Sequence, residues 1–280
     1  MSPSFPSLPA SLALAGALLL PVPFVFAQPP GRGGATPPDW VLTVGAAPVV
    51  SPVFQGADQY GLSVFPDLRL NYKDLFFASV PDGIGYNVIN TARWKVGPLA
   101  KLRFGRQEDS GGSPFLITGE TNALQGLGEI DLAGELGGFV QYDRGALRLR
   151  AELRQGFGGH DGVVADVSLT RQGRIGSVSY SVGPRLALGT AAFLQPYFGI
   201  DVRQAAATGL PHHAADGGIV SLGIGGAMVK PLGSRAAITL FAGLDHLGRP
   251  VRESPLVRER GSPVQFTAGL GYGYRFGWSN

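Results

Sequence analysis

Between Leu147 and Arg154 the chain places Arg148, Arg150, Glu152 and Arg154 at every second position, with Leu147, Leu149, Ala151 and Leu153 between them. Residues two apart share one face of a β-strand, so this stretch carries three cations and a carboxylate on one face and only apolar groups on the other. Two chemistries are open to such a ladder. One is a network of ion pairs in which Glu152 partners an arginine; the other is a site or pore that attracts anions. Lys101 and Arg103 repeat the pattern against Leu102 and Phe104, and Asp201 and Arg203 repeat it within 196–204. Asp67, Glu152, Asp166 and Asp201 are available as counter-charges, which favours the paired network.

The histidines are the other residues with acid–base potential. His160 lies in Gly158-Gly159-His160-Asp161-Gly162, His212 and His213 are followed by Asp216, and Asp245 precedes His246. A catalytic triad requires a histidine within hydrogen-bond reach of both a nucleophile and an orienting acid. No nucleophile motif accompanies these histidines. The glycine-rich segment around His160 reads as a turn whose polar side chains bond backbone amides. Adjacent histidines on a strand point to opposite faces and make a poor metal pair. Asp245-His246 reads as the cap of a strand end at a rim. No catalytic, cofactor-binding or metal-binding residue is assigned, and no enzyme activity is expected. With no cysteine there is neither a disulfide framework nor a thiolate metal site. A net charge of +3 without a basic helix or aromatic–basic platform sets nucleic acid aside.

The elements that hold the charged ladder must solve a solvation problem. An arginine facing lipid near the bilayer midplane costs about 2–4 kcal/mol, so the charged face must line a wet interior while the leucine face meets lipid. The terminal stretch shows the same division. Phe266, Ala268, Leu270, Tyr272, Tyr274 and Phe276 alternate with Thr267, Gly269, Gly271, Gly273 and Arg275. Aromatics at a strand end suit the lipid–water boundary, and Phe266, Tyr272, Tyr274 and Phe276 are the candidates for an aromatic girdle and assembly strand. Trp278 continues the same face, so the strand is expected to run past Phe276.

Similar alternation recurs at 40–50, 60–72, 75–80, 91–107, 131–142, 146–157, 163–170, 177–188, 196–204, 218–230, 236–247 and 264–276. Residues 84–90 are ambiguous between strand and loop and are left out. The expected fold is all-β, a transmembrane antiparallel up-and-down barrel of about 12 strands, with 10 to 14 admitted. Residues 108–129 and 248–263 are expected as long outer connections. Ahead of the barrel, 11–26 form a Pro-interrupted apolar run, and Val25-Phe26-Ala27 suits cleavage after Ala27. The expected domains are a signal peptide over 1–27, a flexible leader over 28–39 and the barrel over 40–280.

Several ordered segments resemble one family. They include Pro52-Val53-Phe54-Gln55-Gly56-Ala57-Asp58-Gln59-Tyr60, Pro66-Asp67 and Leu75-Phe76-Phe77-Ala78. Further on are Gly105-Arg106, Leu127-Gly128, Gly158-Gly159-His160-Asp161-Gly162 and Pro196-Tyr197-Phe198-Gly199-Ile200. Thr208-Gly209-Leu210-Pro211, Ser254-Pro255-Leu256-Val257 and the run from Gly269 to Phe276 complete the set. Together, from Trp40 to Phe276, they resemble the MipA/OmpV family, the MltA-interacting proteins. The resemblance implies a Gram-negative outer-membrane barrel, exported through the periplasm, embedded in outer-membrane lipids and inserted by the barrel-assembly machinery. It also implies a scaffold that brings a lytic transglycosylase near a penicillin-binding protein, without a cofactor. A small pore for polar or anionic solutes is the alternative reading, and a lipid hydrolase is the third.

Overall fold

The computed structural model describes residues 38–279, so the expected signal peptide and most of the leader lie outside the described residues. The strands are β1 (Trp40–Pro52), β2 (Tyr60–Tyr72), β3 (Phe76–Ser79), β4 (Gly83–Tyr86), β5 (Ile89–Asn90), β6 (Trp94–Arg103), β7 (Leu116–Thr118) and β8 (Ala133–Arg144). They continue as β9 (Leu147–Gly158), β10 (Val163–Ile175), β11 (Val178–Gly189), β12 (Gly218–Leu232), β13 (Ala236–Leu247) and β14 (Val264–Trp278). Four short helices lie between strands: α1 (Ala191–Phe198), α2 (Val202–Thr208), α3 (Arg249–Arg252) and α4 (Pro255–Arg260).

Around the wall each strand pairs antiparallel with the next, in the order β1-β2-β3-β4-β6-β8-β9-β10-β11-β12-β13-β14, and β1 closes the ring by bonding both β2 and β14, with Trp40 opposite Tyr72 on one side and Trp278 on the other. Twelve strands make the wall. Short β5 extends it against β6, and β7 adds to the outer half of β2. The strand number matches the expectation from sequence, but its composition differs. The ambiguous 84–90 segment supplies β4 and β5, whereas 196–204 is not a strand. That segment holds the end of α1 and the start of α2, because Asp201 and Gln204 form a reciprocal capping box. Satisfying two otherwise orphaned amides at once starts a helix locally, and this outweighs an alternation of only nine residues.

The two faces of the wall follow the alternation. Leu149, Leu153, Leu240, Leu270 and Tyr272 face outward, while Thr239, Phe241, Glu135 and Arg154 face inward and are buried. A closed ring leaves no unpaired edge along its full strands, the condition for crossing lipid with strands. Even in short β3 and β4, Phe77 turns inward and stacks edge-on with Phe139 at 5.6 Å.

The two ends differ. At one end lie both termini of the barrel and only tight turns. Lys73 and Asp74 adopt positive φ in the first of these, and Gly145, Gly176 and Gly233 do so in later ones. Aromatic rings mark this end: Trp40 packs on Tyr72 at 4.5 Å and stacks parallel to Trp278 at 6.3 Å, and Trp94 packs on Tyr142 at 4.5 Å. β14 runs through Trp278, as its outward face anticipates. Short turns belong on the periplasmic side of such barrels.

The five long connections, 53–59, 104–132, 159–162, 190–217 and 248–263, gather at the other, extracellular end. They do not behave as exposed loops. Val53, Phe54, Leu124, Leu127, Ile200, Leu210 and Leu256 form one buried cluster, and Phe193, Leu194, Tyr197, Phe198, Val251 and Val257 belong to a second. Polar groups stitch the segments together. Arg260 donates to the carbonyls of Ala123 at 3.0 Å and Thr208 at 2.6 Å, and the Ser254 hydroxyl donates to Phe198 O at 2.7 Å. The 248–263 stretch, expected as a charged outer loop, buries its apolar members under α3 and α4 and exposes most of its charges. The outer mouth thus carries an apolar cap.

The facing of the wall is checked by Leu240→Arg, which puts a cation on the lipid side. Reversible unfolding in lipid vesicles is expected to show a loss of about 2–4 kcal/mol. An unchanged unfolding free energy would contradict the assigned facing.

Candidate functional site

The inward charges of β6, β8, β9 and β10 meet in the middle of the barrel. Arg154, with 1% of its side chain exposed, sends Nε to Glu135 at 2.7 Å, Nη1 to Glu152 at 2.5 Å and Nη2 to Asp166 at 2.5 Å. Glu152 also accepts from Lys101 and Arg150, both at 2.8 Å. Glu135 also pairs with Arg103 and with His160 Nε2, the latter at 3.1 Å. The register explains why an arginine is needed here. Glu152 stands directly across from Asp166 in the β9–β10 ladder. Two like charges opposite one another are destabilising, and Arg154 bridges them with the two ends of one planar fork.

Two further pairings complete the interior. Arg69 holds Asp67 at 2.7 Å and Asp82 at 3.4 Å, and Ser79 donates to Asp82 at 2.8 Å. Arg185 grips Asp245 with Nε at 2.8 Å and with Nη2. Its guanidinium lies flat against β12 and β13, where a Cβ at Gly243 would sit 2.4 Å from Nη2, so only glycine leaves the room. Arg69, Lys101, Arg103, Arg150, Arg154 and Arg185 therefore stand against Asp67, Asp82, Glu135, Glu152, Asp166 and Asp245. Six cations meet six carboxylates, so this central network is balanced. Between the groups is a cavity of about 50 Å³ of water-accessible space, lined by Asp82, Lys101, Arg150, Asp166, Arg185 and Ser221 among others. That is room for a few waters.

The expected site residues divide accordingly. Lys101, Arg103, Arg150, Glu152, Arg154 and Asp166 are brought together. Arg148 faces inward but lies nearer the periplasmic end, paired with Asp143 at 2.7 Å. Asp201 and Arg203 do not belong to the interior, a correction that follows from the helical capping box. The Asp201 side chain accepts from Gln204 N at 2.8 Å in the cap, and that backbone N–H holds its carboxyl below the ordinary aspartate value. Arg203 has 95% of its side chain exposed.

Asp245, read from sequence as a rim cap, is buried and paired, while its neighbour His246 bonds only its own chain at Leu247 O. Sequence reasoning passed over Glu135 and Arg185, whereas Arg69 shares with Asp67 the polar face read for 60–72. Glu135 is a lone charge between Gly134 and Leu136, and Arg185 follows Pro184; only strict parity along β8 and β11 marks them as inward.

His160 is fully buried, with its ring packed where a Cβ at Gly156 would lie 2.1 Å from Cε1. Its Nδ1 accepts from Gly162 N–H at 3.3 Å and its Nε2 bonds Glu135, so both ring nitrogens are engaged. The ring stacks edge-on against Phe193 of α1 at 4.9 Å, which ties the interior network to the cap. Arg106 adds a second tie by donating to Tyr197 O at 2.6 Å. Burial pushes the Arg106 guanidinium down to about 10, still far above neutral, so a cation is sealed in the cap. Burial pushes the Tyr197 phenol up, which keeps it neutral. Among the described residues, no group of three or more His, Asp or Glu side chains is arranged to hold a metal ion.

Of the aromatic candidates, Tyr272, Tyr274 and Phe276 lie on β14 toward the periplasmic end, where Tyr274 and Phe276 pack at 4.9 Å. Phe266 is outward at the opposite end of the same strand, where its amide donates to the Tyr60 hydroxyl at 3.1 Å.

Truncating the central fork leaves three carboxylates unbridged in a buried place. Arg154→Met is expected to cost about 3–5 kcal/mol in urea unfolding from detergent micelles. Arg203→Met is expected to stay within about 0.5 kcal/mol of the wild type. Equal effects at the two sites would contradict the assignment.

A family model described as MltA-interacting protein MipA matches residues 44–276. No curated protein matches the sequence. Among solved structures, an outer membrane channel from Pseudomonas putida F1 is similar at 14% identity, over 89% of this chain and 99% of that one, with a TM-score of 0.46. OmpT, an outer membrane protein of Vibrio cholerae, is similar at 8% identity, over 85% and 97%, with a TM-score of 0.36. An anion-selective porin from Comamonas acidovorans is similar at 12% identity, over 85% and 98%, with a TM-score of 0.30.

Proposed function

Because the chain belongs to the MltA-interacting protein (MipA) family of Gram-negative outer-membrane β-barrels, we propose that it is a scaffold whose periplasmic end recruits a lytic transglycosylase and a penicillin-binding synthase. The observation that carries this reading is the division of the barrel into a packed outer end and a plain inner end. The extracellular mouth is covered by two apolar clusters, and the interior is occupied by paired charges. A barrel built in this way leaves its periplasmic turns as the face that can engage other envelope components.

The paired central network supports a structural role over an anion-selective pore, since each of its six cations has a carboxylate partner. The hydrolase reading finds no support at His160. A general base needs a free ring nitrogen facing a nucleophile, and here Gly162 and Glu135 occupy both nitrogens.

The test is a crosslinked affinity purification from outer membranes, read by mass spectrometry against a barrel of similar size. Selective enrichment of a lytic transglycosylase or a penicillin-binding protein is the expected result. Recovery of assembly factors alone, in repeated experiments, would overturn the proposal.

A further inference from the structure

Charge is segregated along the barrel axis. The five extracellular connections carry eleven acids and six bases, and the central network is balanced. The excess of cations lies at the periplasmic end. Three acids there are already engaged: Asp39 holds Lys73 at 3.2 Å, Asp74 holds Lys95 at 2.5 Å, and Asp143 holds Arg148 at 2.7 Å. Seven further cations at this end have no acidic partner among the described residues.

These seven fall into two groups. Arg144, Arg171 and Lys230 lie on the outward face near the strand ends, at the level where long side chains reach lipid phosphates. Arg93 and Arg235 sit instead in turns, and Arg174 and Arg275 share the inward parity of β10 and β14. Arg235 and Arg275 adjoin, their backbones linked by a 2.7 Å hydrogen bond. Two neighbouring cations without an acid repel each other, and an external anion relieves that cost.

The placement of this second group says what kind of anion fits. Arg93 lies before β6, Arg174 at the β10–β11 corner, Arg235 at the β12–β13 corner and Arg275 beside the closing seam. They are spread round the circumference of the periplasmic mouth, two in turns and two at inward positions near the strand ends, and none is on the lipid-facing parity of a strand. A compact protein docking by one acidic patch would engage one sector. A flat, extended polyanion lying parallel to the membrane engages them all.

We propose that this basic ring docks the barrel on murein, whose stem peptides present repeated carboxylates across a sheet beneath the outer membrane. The contact is electrostatic and shared among several cations, so it weakens with salt. It goes beyond the recruitment of enzymes and does not require it, because the polymer itself is the ligand.

The experiment pellets purified murein sacculi with the folded barrel in detergent micelles. At low salt the wild type is expected to co-sediment, with apparent affinity falling about tenfold in high salt. The variant carrying Arg93→Gln, Arg174→Gln, Arg235→Gln and Arg275→Gln is expected to bind about tenfold more weakly. The variant carrying Arg144→Gln, Arg171→Gln and Lys230→Gln is expected to bind as the wild type. Heat-modifiable gel mobility verifies that both fold. Sacculi with amidated carboxylates supply a measurement on the wild type alone, and loss of binding is the expected result. Failure of the wild type to co-sediment at low salt overturns the proposal, whatever acidic protein or vesicle it captures. Binding that survives amidation, or that depends equally on the outward three, also overturns it.

Discussion

The interior of this barrel depends on one planar cation placed between carboxylates that would otherwise repel. Strand register sets Glu152 directly against Asp166, and burial makes that juxtaposition expensive. Arg154 answers it geometrically, with separate nitrogens on Glu152, Asp166 and Glu135. A lysine could deliver the same charge but not the same fork. From this centre the pairing spreads through Glu152 to Lys101 and Arg150, and through Glu135 to Arg103 and His160. Buried ion pairs are weak evidence for net stability, since desolvation offsets most of their attraction. Their specificity is another matter: a one-residue slip of β9 would send all three arginines into lipid and four apolar groups into the interior.

The same centre couples the wall to the cap. His160 touches Glu135 with one nitrogen and packs edge-on against Phe193, whose neighbours Leu194, Tyr197 and Phe198 form the base of the apolar cover. Arg106 reaches the Tyr197 carbonyl from the connection after β6, and Arg103 lies 4.8 Å over the Phe193 ring. The extracellular segments are therefore seated on the network rather than suspended over it. The opposite rim has short turns, aromatics that mark the membrane boundary and basic side chains without an acidic partner among the described residues.

How much of this was legible beforehand depended on whether a repeating pattern was present and whether a local backbone signal competed with it. The ladder on β9 and the terminal strand alternate over eight residues or more, so their facing followed from the cost of a charge in lipid. The segment 196–204 alternates over as many residues as the β9 ladder, but it includes Pro196 and a capping box. Local backbone satisfaction decided it, and Asp201 and Arg203 left the network with it. Conversely, 75–80 was read as a strand and supplies β3, but β4 is only four residues, too short to show a period, and is stabilised by pairing to β3 and β6 rather than by its own pattern. The cap was hidden for a different reason. Val53, Leu124, Phe198 and Leu256 are scattered over four connections and meet only in three dimensions. Glu135 and Arg185 were missed because a single charge beside glycine or proline carries no periodic signal.

The central claim is that a balanced charge network and an apolar cap occupy the barrel, so that it does not serve as an open channel. Planar-bilayer recording of the purified, folded barrel tests this most directly. The account predicts a quiet baseline without long-lived steps. Stable, porin-like unitary currents from the wild type would contradict it.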